Sequence, residues 1–348
     1  MMNFDFSYPN CWDALKKSEK PVVLYGMGNG ADKVLDELER RGIRAAGVMA
    51  SDGFVRHQMF RGFTVKSEKE LQAELGDFTV ALCFASALPD VMAYIEGVAD
   101  RHELIVPHTP VAGTQILDDA FLRENRPKIE EAFSLLSDNQ SKKVYEGALQ
   151  FFYTGRLPYL REITSEKEEA FENILRLKNE RYLDLGAYRG DTIEEFLRFS
   201  DGYEAITAVE PNPKNFQKLS ENTRDIRNLT LLNTGIFERE GVMYISKKAG
   251  RMAALNHSDG AKVSVTTVDS INCSPTYLKA DVEGFEREML LGAKETLKAK
   301  PKLNLAAYHR TCDFFELILL IKQLNPDYRI FIRKHPYIPC WDLNIYAI

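Results

Sequence analysis

The chain has 348 residues, 45% of them hydrophobic and 28% charged, with a formal net charge of −6; that is long for one core, ample for two domains, and too acidic to favour a nucleic-acid partner. No apolar stretch reaches the length of a membrane span, and the first twenty residues lack an apolar core after a basic start. Five scattered cysteines without CxxC spacing suit reduced thiols, so a cytoplasmic protein is expected.

A short amphipathic helix comes first, followed by an apolar run of strand length at residues 22–25. Gly26, Gly28 and Gly30 form a tight turn, and Val34, Leu35 and Leu38 recur at helical spacing until Gly42 stops the helix. Further strands are expected at 43–49, 78–85 and 104–106. A small-residue loop at 86–89 opens another helix. Strands alternating with helices predict a smaller Rossmann-like α/β domain over residues 1–112. Its middle part, ASDGFVRHQMFRGFTV, places an exposed turn before an apolar strand. The segment resembles the small Rossmann-like domains at the front of some nucleotide-sugar acyltransferases and epimerases. That resemblance implies a role in binding the nucleotide or sugar part of a substrate; the alternative is a scaffold for packing or homodimerisation. The nearest acid after the second strand, Asp52, comes several residues late, so NAD is not expected here. His57, His102 and His108 lack metal-like spacing and read as surface or packing residues.

Residues 113–180 carry helical periodicity (Ile129, Phe133 and Leu136; Val144, Leu149 and Phe152) and are too apolar for a flexible linker. They predict a helical connector that packs on the domain at 181–348. There a second α/β series begins. Parallel strands are expected at 182–185, 205–209, 229–232, 277–280 and 303–307, with helices at 286–297 and 314–324. Strands at 242–245 and 263–267 form an inserted hairpin, and 328–332 and 343–347 a reversed hairpin on the sheet edge. Arg329, Arg333, Lys334 and His335 cluster near that hairpin and read as a solvated strand end rather than a contact to an anionic substrate.

The sharpest motif is Asp184-Leu-Gly-Ala-Tyr-Arg-Gly-Asp191, directly after a strand and before a helix. Gly186 and Gly190 let the backbone, with Ala187 and Tyr188 between them, approach a ligand outside the carboxyl ends of the strands. About twenty residues on, Glu210 ends the next strand with Pro211 and Asn212 behind it, where a carboxylate can accept hydrogen bonds from two ribose hydroxyls. Gly235, past the third strand, belongs to the same set. A dinucleotide would need G-x-G-x-x-G and room for a pyrophosphate. The spacing here is Gly186-x-x-x-Gly190, and Asp184 and Asp191 add negative charge that suits a sulfonium and an ammonium group. S-adenosyl-L-methionine is therefore expected ahead of NAD.

The pieces YLDLGAYRGDT, AVEPNPKNFQKLSEN, TTVDSI, YLKADVEGFEREMLLGAKETL and the segment from Leu303 to His335 occur in the order found in FkbM-like methyltransferases, which residues 180–348 resemble. The most distinctive piece is Lys279-Ala-Asp-Val-Glu-Gly-Phe-Glu286. The resemblance implies a class I SAM methyltransferase fold, a seven-stranded Rossmann-like sheet with a terminal antiparallel hairpin. It also implies O-methylation, often of sugars. The expected reaction is methyl transfer to a hydroxyl of a sugar, nucleotide-sugar or glycoconjugate. A peptide or lipid-linked acceptor, an NAD(P)-dependent sugar-modifying enzyme and a non-catalytic nucleotide sensor are the alternatives. A sugar hydroxyl needs a base as charge develops. Two adjacent strand ends offer Asp281, Glu283 and His309: Asp281 or His309 is the expected base, and Glu283 the group that orients acceptor or base. The same three side chains could ligate a divalent ion, but the reaction requires none and no metal is expected. After strand four the chain reads ADVEG, without the Asn/Asp-Pro-Pro-aromatic or Pro-Cys motifs of DNA methylation.

Overall fold

The computed structural model describes residues 7–245, 255–256 and 260–348, so six residues of the stretch read for a leader lie outside the described residues. The first unit comprises α1 (Cys11–Lys17), β1 (Val22–Tyr25), α2 (Asn29–Arg40), β2 (Ala45–Met49), β3 (Met59–Phe60), β4 (Phe63–Lys66), α3 (Glu68–Leu75), β5 (Thr79–Leu82), α4 (Pro89–Arg101) and β6 (Glu103–Ile105). The sheet order is β3-β4-β2-β1-β5-β6, parallel except for the edge hairpin of β3 and β4. Every residue of β1 is buried, as for a strand covered by helices on both faces. At α3 a capping box closes the first turn: Ser67 accepts from Glu70 N while the Glu70 carboxylate accepts from Ser67 N. His102 is buried and stacks on Phe78 at 4.1 Å, whereas His57 lies at the surface beside Glu70.

The connector is helical: α5 (Asp119–Ser134), α6 (Asn139–Thr154), α7 (Leu157–Ile163) and α8 (Lys167–Ala170), then a single wide turn at Phe171–Leu175. Helix α6 starts at Asp138, whose carboxylate accepts from Ser141 N at 2.6 Å, and stops at Gly155 with φ +68°.

The second unit runs β7 (Lys178–Leu185), α9 (Asp191–Phe199), β8 (Asp201–Val209), α10 (Pro213–Asn222), β9 (Leu229–Leu232), β10 (Gly235–Ile236), β11 (Gly241–Ile245), β12 (Leu255–Asn256), β13 (Ala261–Thr266) and α11 (Val268–Ile271). It continues through β14 (Tyr277–Ala280), α12 (Glu286–Leu291), α13 (Lys294–Lys298), β15 (Lys302–Ala306), α14 (Asp313–Leu324), β16 (Ile330–Lys334) and β17 (Leu343–Ala347). The seven-stranded sheet has the order β16-β17-β15-β14-β7-β8-β9, and β17 runs antiparallel to both neighbours. This is the class I SAM methyltransferase arrangement. The inserted strands belong to a separate four-stranded sheet, β10-β13-β11-β12. Chain order reverses at β7, which pairs with β8 on one side and β14 on the other, so a crevice opens at the carboxyl ends of these three strands.

One hydrophobic core is continuous through all three segments: Val23 and Phe78 of the first unit, Tyr145 and Phe152 of the connector, and Leu183, Phe314 and Ile332 of the second unit belong to it. Two readings need correction. The single helix expected at 286–297 is broken into α12 and α13 at Gly292, where a Cβ would lie 2.5 Å from the Phe237 carbonyl; the close passage of the strand-β10 segment interrupts the helix. The basic cluster is not a solvated strand end. Arg329 is exposed, but Arg333, Lys334 and His335 are 2%, 0% and 0% exposed because the connector covers β16. Arg333 forks to Asp138 and Glu169. His335 donates from Nδ1 to the Ser165 carbonyl and accepts from the Tyr346 hydroxyl at Nε2.

Candidate active site

The crevice holds a cavity of about 330 Å³ walled by the exits of β7, β8 and β14. Six of the residues expected to hold the cofactor stand in its wall: Gly186, Tyr188, Asp191, Glu210, Pro211 and Asn212. Ala187, Gly190 and Gly235 are buried behind it and shape the backbone. Asp184 is also behind the wall, fully buried; its Oδ2 accepts from the Thr192 hydroxyl, and its Oδ1 has no hydrogen-bond partner.

Gly186 turns with φ +82°, and a Cβ there would lie 1.9 Å from the Asp281 carbonyl, so only glycine lets the β7 and β14 exits meet. Glu210 is fixed from both sides: Tyr188 N donates to Oε2 at 3.0 Å and Asn212 N donates to Oε1 at 2.8 Å. Burial pushes its carboxyl up to about 7, against those two backbone donors. A diol donating to the remaining lone pairs supplies what burial removed.

The sequence reading did not single out Lys279, Thr192, Val209, Asn215, Thr234, Ile236 or Val282, which complete the wall. For Lys279 a signal existed. It precedes Asp281 by two residues, so strand alternation puts both on one face. It pairs in register with Asp184 and approaches it to 3.8 Å. Burial opposes the ammonium, but Asp184, Asp281 and Asp191 hold its pKa above the ordinary lysine value.

Around the far end of the cavity, Asp281 and Glu283 stand in the wall, and His309 lies directly behind them, 1% exposed. His309 Nδ1 is 2.9 Å from Glu286 Oε1, and Nε2 is 3.3 Å from Asp281 Oδ1 and 3.8 Å from Glu283 Oε2. Both ring nitrogens therefore face carboxylates and both donate. Burial lowers the imidazole pKa, but Glu286 and Asp281 overcome it and hold the value well above 6.5. Asp281 is likewise drawn below the ordinary carboxylate range: burial acts upward, and the hydrogen bond from His309, with the Tyr308 hydroxyl at 3.2 Å, acts downward more strongly. Glu283 is different. Burial pushes it up to about 7 despite His309. Its backbone is left-handed at φ +56°, followed by Gly284 at +93°, a turn that faces the end of the first unit: Gly284 packs against Ala112, and Ala112 N donates to the His309 carbonyl at 2.8 Å.

The cavity wall carries four carboxylates, Asp191, Glu210, Asp281 and Glu283, against the single ammonium of Lys279. A pyrophosphate would meet that field unfavourably, and a sulfonium with an amino group favourably. The bare Gly186 turn adds room beside these acids, so these residues fit S-adenosyl-L-methionine.

Residues 184–338 match the family model described as the methyltransferase FkbM domain. Among solved structures, a methyltransferase FkbM from Methylobacillus flagellatus KT is similar in fold, with a TM-score of 0.72 at 21% identity over 97% of this chain and 92% of that chain. Fibrillarin from Aeropyrum pernix, solved with natively bound S-adenosyl-L-methionine, gives a TM-score of 0.32 at 16% identity over 49% of this chain and 67% of its own. A precorrin-6y C5,15-methyltransferase from Geobacter metallireducens GS-15 gives 0.35 at 15% identity, over 54% and 93%. Comparison of the sequence with curated proteins gives no match. No helix among the described residues is long and apolar enough to cross a membrane.

Proposed function

We propose that the chain, an S-adenosyl-L-methionine-dependent methyltransferase whose residues 184–338 match the family model of the methyltransferase FkbM domain, methylates a hydroxyl group of a sugar, with Glu283 as the proton acceptor. When bound, the cofactor supplies a methyl group already activated on a sulfonium, so the protein's task is to align the acceptor and remove its proton. Glu210 and Asn212 hold the ribose end, and Asp191 and Lys279 the amino-acid end, with Asp184 behind the wall beside Lys279.

The observation that carries the reading is the contrast among three neighbours. His309 already holds two protons between Glu286 and Asp281, so it is a fixed cation and not a base. Asp281 is too weakly basic, being committed to His309 and Tyr308. Glu283, raised to about 7, has the basicity that abstracts a proton near neutral pH. The proton leaving the hydroxyl would go to a Glu283 oxygen, while the methyl would pass from the sulfur of the bound cofactor to the hydroxyl oxygen, leaving the neutral thioether. Asp281 and Tyr308 orient the acceptor, and the His309 imidazolium offsets the acid cluster. This moves the role of base from the pair expected on sequence to the residue expected only to orient.

Donor turnover measured against neutral sugars, nucleotide-sugars, glycans, peptides and lipid-linked acceptors, with the product methyl located by mass spectrometry and NMR, tests the proposal. A methyl ether on a sugar oxygen supports it; methylation confined to nitrogen, carbon or a non-sugar hydroxyl refutes it.

A further inference from the structure

The loop between β16 and β17 carries Tyr337 and Trp341. Trp341 lies nearly parallel to Tyr308, with ring centroids 6.0 Å apart and planes inclined by 20°, and Tyr337 tilts against Trp341 at 5.7 Å. Tyr308 in turn donates to Asp281 in the cavity wall. Three aromatic rings thus form a continuous, half-exposed row that starts at the methyl-transfer end of the site.

The loop is held at its base. Lys334 is completely buried, and its ammonium donates to the Tyr337 carbonyl at 2.9 Å and to that of His335. Desolvation pushes its pKa down to about 8, so the fold spends a buried cation on fixing this turn. The first sheet clamps the other side: Ser86 N donates to the Ile338 carbonyl at 2.7 Å, and Ile338 N donates to Ser86 at 2.9 Å. Ser86 belongs to the loop after β5, so the N-terminal unit positions the aromatic row.

A second groove, about 450 Å³, lies beside this loop. Pro336, Asp342 and Ala87 line it, and Asp191 belongs to both its wall and the cofactor cavity wall. Six acids face it, Glu166, Glu168, Asp191, Glu194, Glu195 and Asp342, while its two cations are already committed, Lys167 to Glu195 and Asp342 and Arg198 to Glu168. Flat aromatic faces suit the apolar C–H face of a pyranose ring, and carboxylates suit its hydroxyls. The acid excess disfavours phosphate.

We infer that Trp341, with Tyr308 and Tyr337, is the acceptor platform, and that the acceptor it takes is an uncharged pyranose ring rather than a nucleotide-sugar. This rests on the sugar O-methylation reading and narrows it.

The test uses the full-length protein with Trp12→Phe, which leaves Trp341 as the only tryptophan of the two in the chain. With S-adenosylhomocysteine bound, Trp341 fluorescence is titrated with the methyl glycosides of glucose, galactose, mannose and rhamnose and with UDP-glucose, and the same compounds are assayed as acceptors. The expected result is a saturable change with at least one neutral glycoside that is also methylated, and weaker binding of UDP-glucose. Trp341→Ala should raise the KM of that glycoside about tenfold or more, Trp341→Phe should restore most of it, and calorimetry should show S-adenosylhomocysteine binding within twofold in both variants. Glycoside methylation with an unchanged KM in Trp341→Ala, or preference for UDP-glucose, overturns the platform while leaving sugar methylation standing. Turnover on a non-sugar acceptor alone overturns both.

Discussion

Gly186→Ala isolates the backbone contact on which the site depends. The added Cβ would stand 1.9 Å from the Asp281 carbonyl, where contacts under 3.0 Å are not tolerated. The β14 exit must retreat by about 1.1 Å, the difference between those distances. A displacement of about 1 Å at a catalytic group can cost about 10²-fold in rate, and Asp281 and Glu283 both follow that exit. The left-handed φ of +82° adds about 1–2 kcal/mol of backbone cost for a residue with a Cβ. Donor turnover, read as S-adenosylhomocysteine release, is expected to fall by about two orders of magnitude. Thermal unfolding should show only a modest loss of Tm, because the strain is local. Gly28→Ala is the control, since nothing lies within 4 Å of the point where its Cβ would stand and its φ is −111°; it should match the wild type in both assays. A Gly186→Ala enzyme with kcat/KM within about threefold of wild type would show that the β7 and β14 exits are not mechanically coupled, and the site geometry could not then rest on their close approach.

Glu210→Gln keeps the shape but removes the charge that receives two backbone donors; S-adenosyl-L-methionine affinity by calorimetry should weaken about tenfold to a hundredfold, the worth of hydrogen bonds to a charged acceptor, and unchanged affinity would disprove its role. Because Glu283 must be unprotonated to act and sits at about 7, kcat/KM should rise with pH through about 7 and level above it; Glu283→Gln should lower kcat by about 10²-fold or more and abolish that inflection, and a preserved inflection would assign it elsewhere. Asp313, buried beside Glu286, is pushed up to about 8 by desolvation and by that neighbour. Its folded-state pKa exceeds the unfolded value, so the fold holds the extra proton between about 4 and 8 and loses stability as pH rises through that window. Asp313→Asn, which still accepts from Arg310 N, should flatten the dependence of Tm on pH over that range; an unaltered slope would show that Asp313 does not contribute it.

Much of the catalytic half was legible because parallel strands buried on both faces leave apolar runs, and because the turns between them need glycine at fixed places. Gly186 and Glu210 were readable for that reason: each ends a strand, and a strand end in this topology faces the crevice. The proposed base was less so. Asp281, Glu283 and His309 are visible as titratable groups, but which of them takes a proton depends on Glu286 lying 2.9 Å from His309, a contact across 23 residues that no local pattern reports. The basic cluster was misread for a similar reason. On the chain it is Arg-Lys-His at a strand end, which ordinarily means solvent. In the fold α6 and α8 lie over it, and Asp138 and Glu169, more than 160 residues away, are its partners. Gly292 broke a helix whose periodicity is unblemished, because the reason is a backbone passing on the other side.

The same burial explains why the N-terminal unit bears on the chemistry without touching the cofactor cavity. Its β5 exit supplies Ser86, which pairs with Ile338, and the residues just before the connector supply Ala112, which packs on Gly284 and donates to the His309 carbonyl. Those two contacts fix the aromatic loop on one side and the turn that presents Glu283 on the other. Since one hydrophobic core also runs through both sheets and the connector, removing the first unit would expose buried apolar surface and release both loops together. On the reading proposed, acceptor recognition and base placement draw on the whole chain, whereas the residues proposed to hold the donor lie at the exits of β7, β8 and β14.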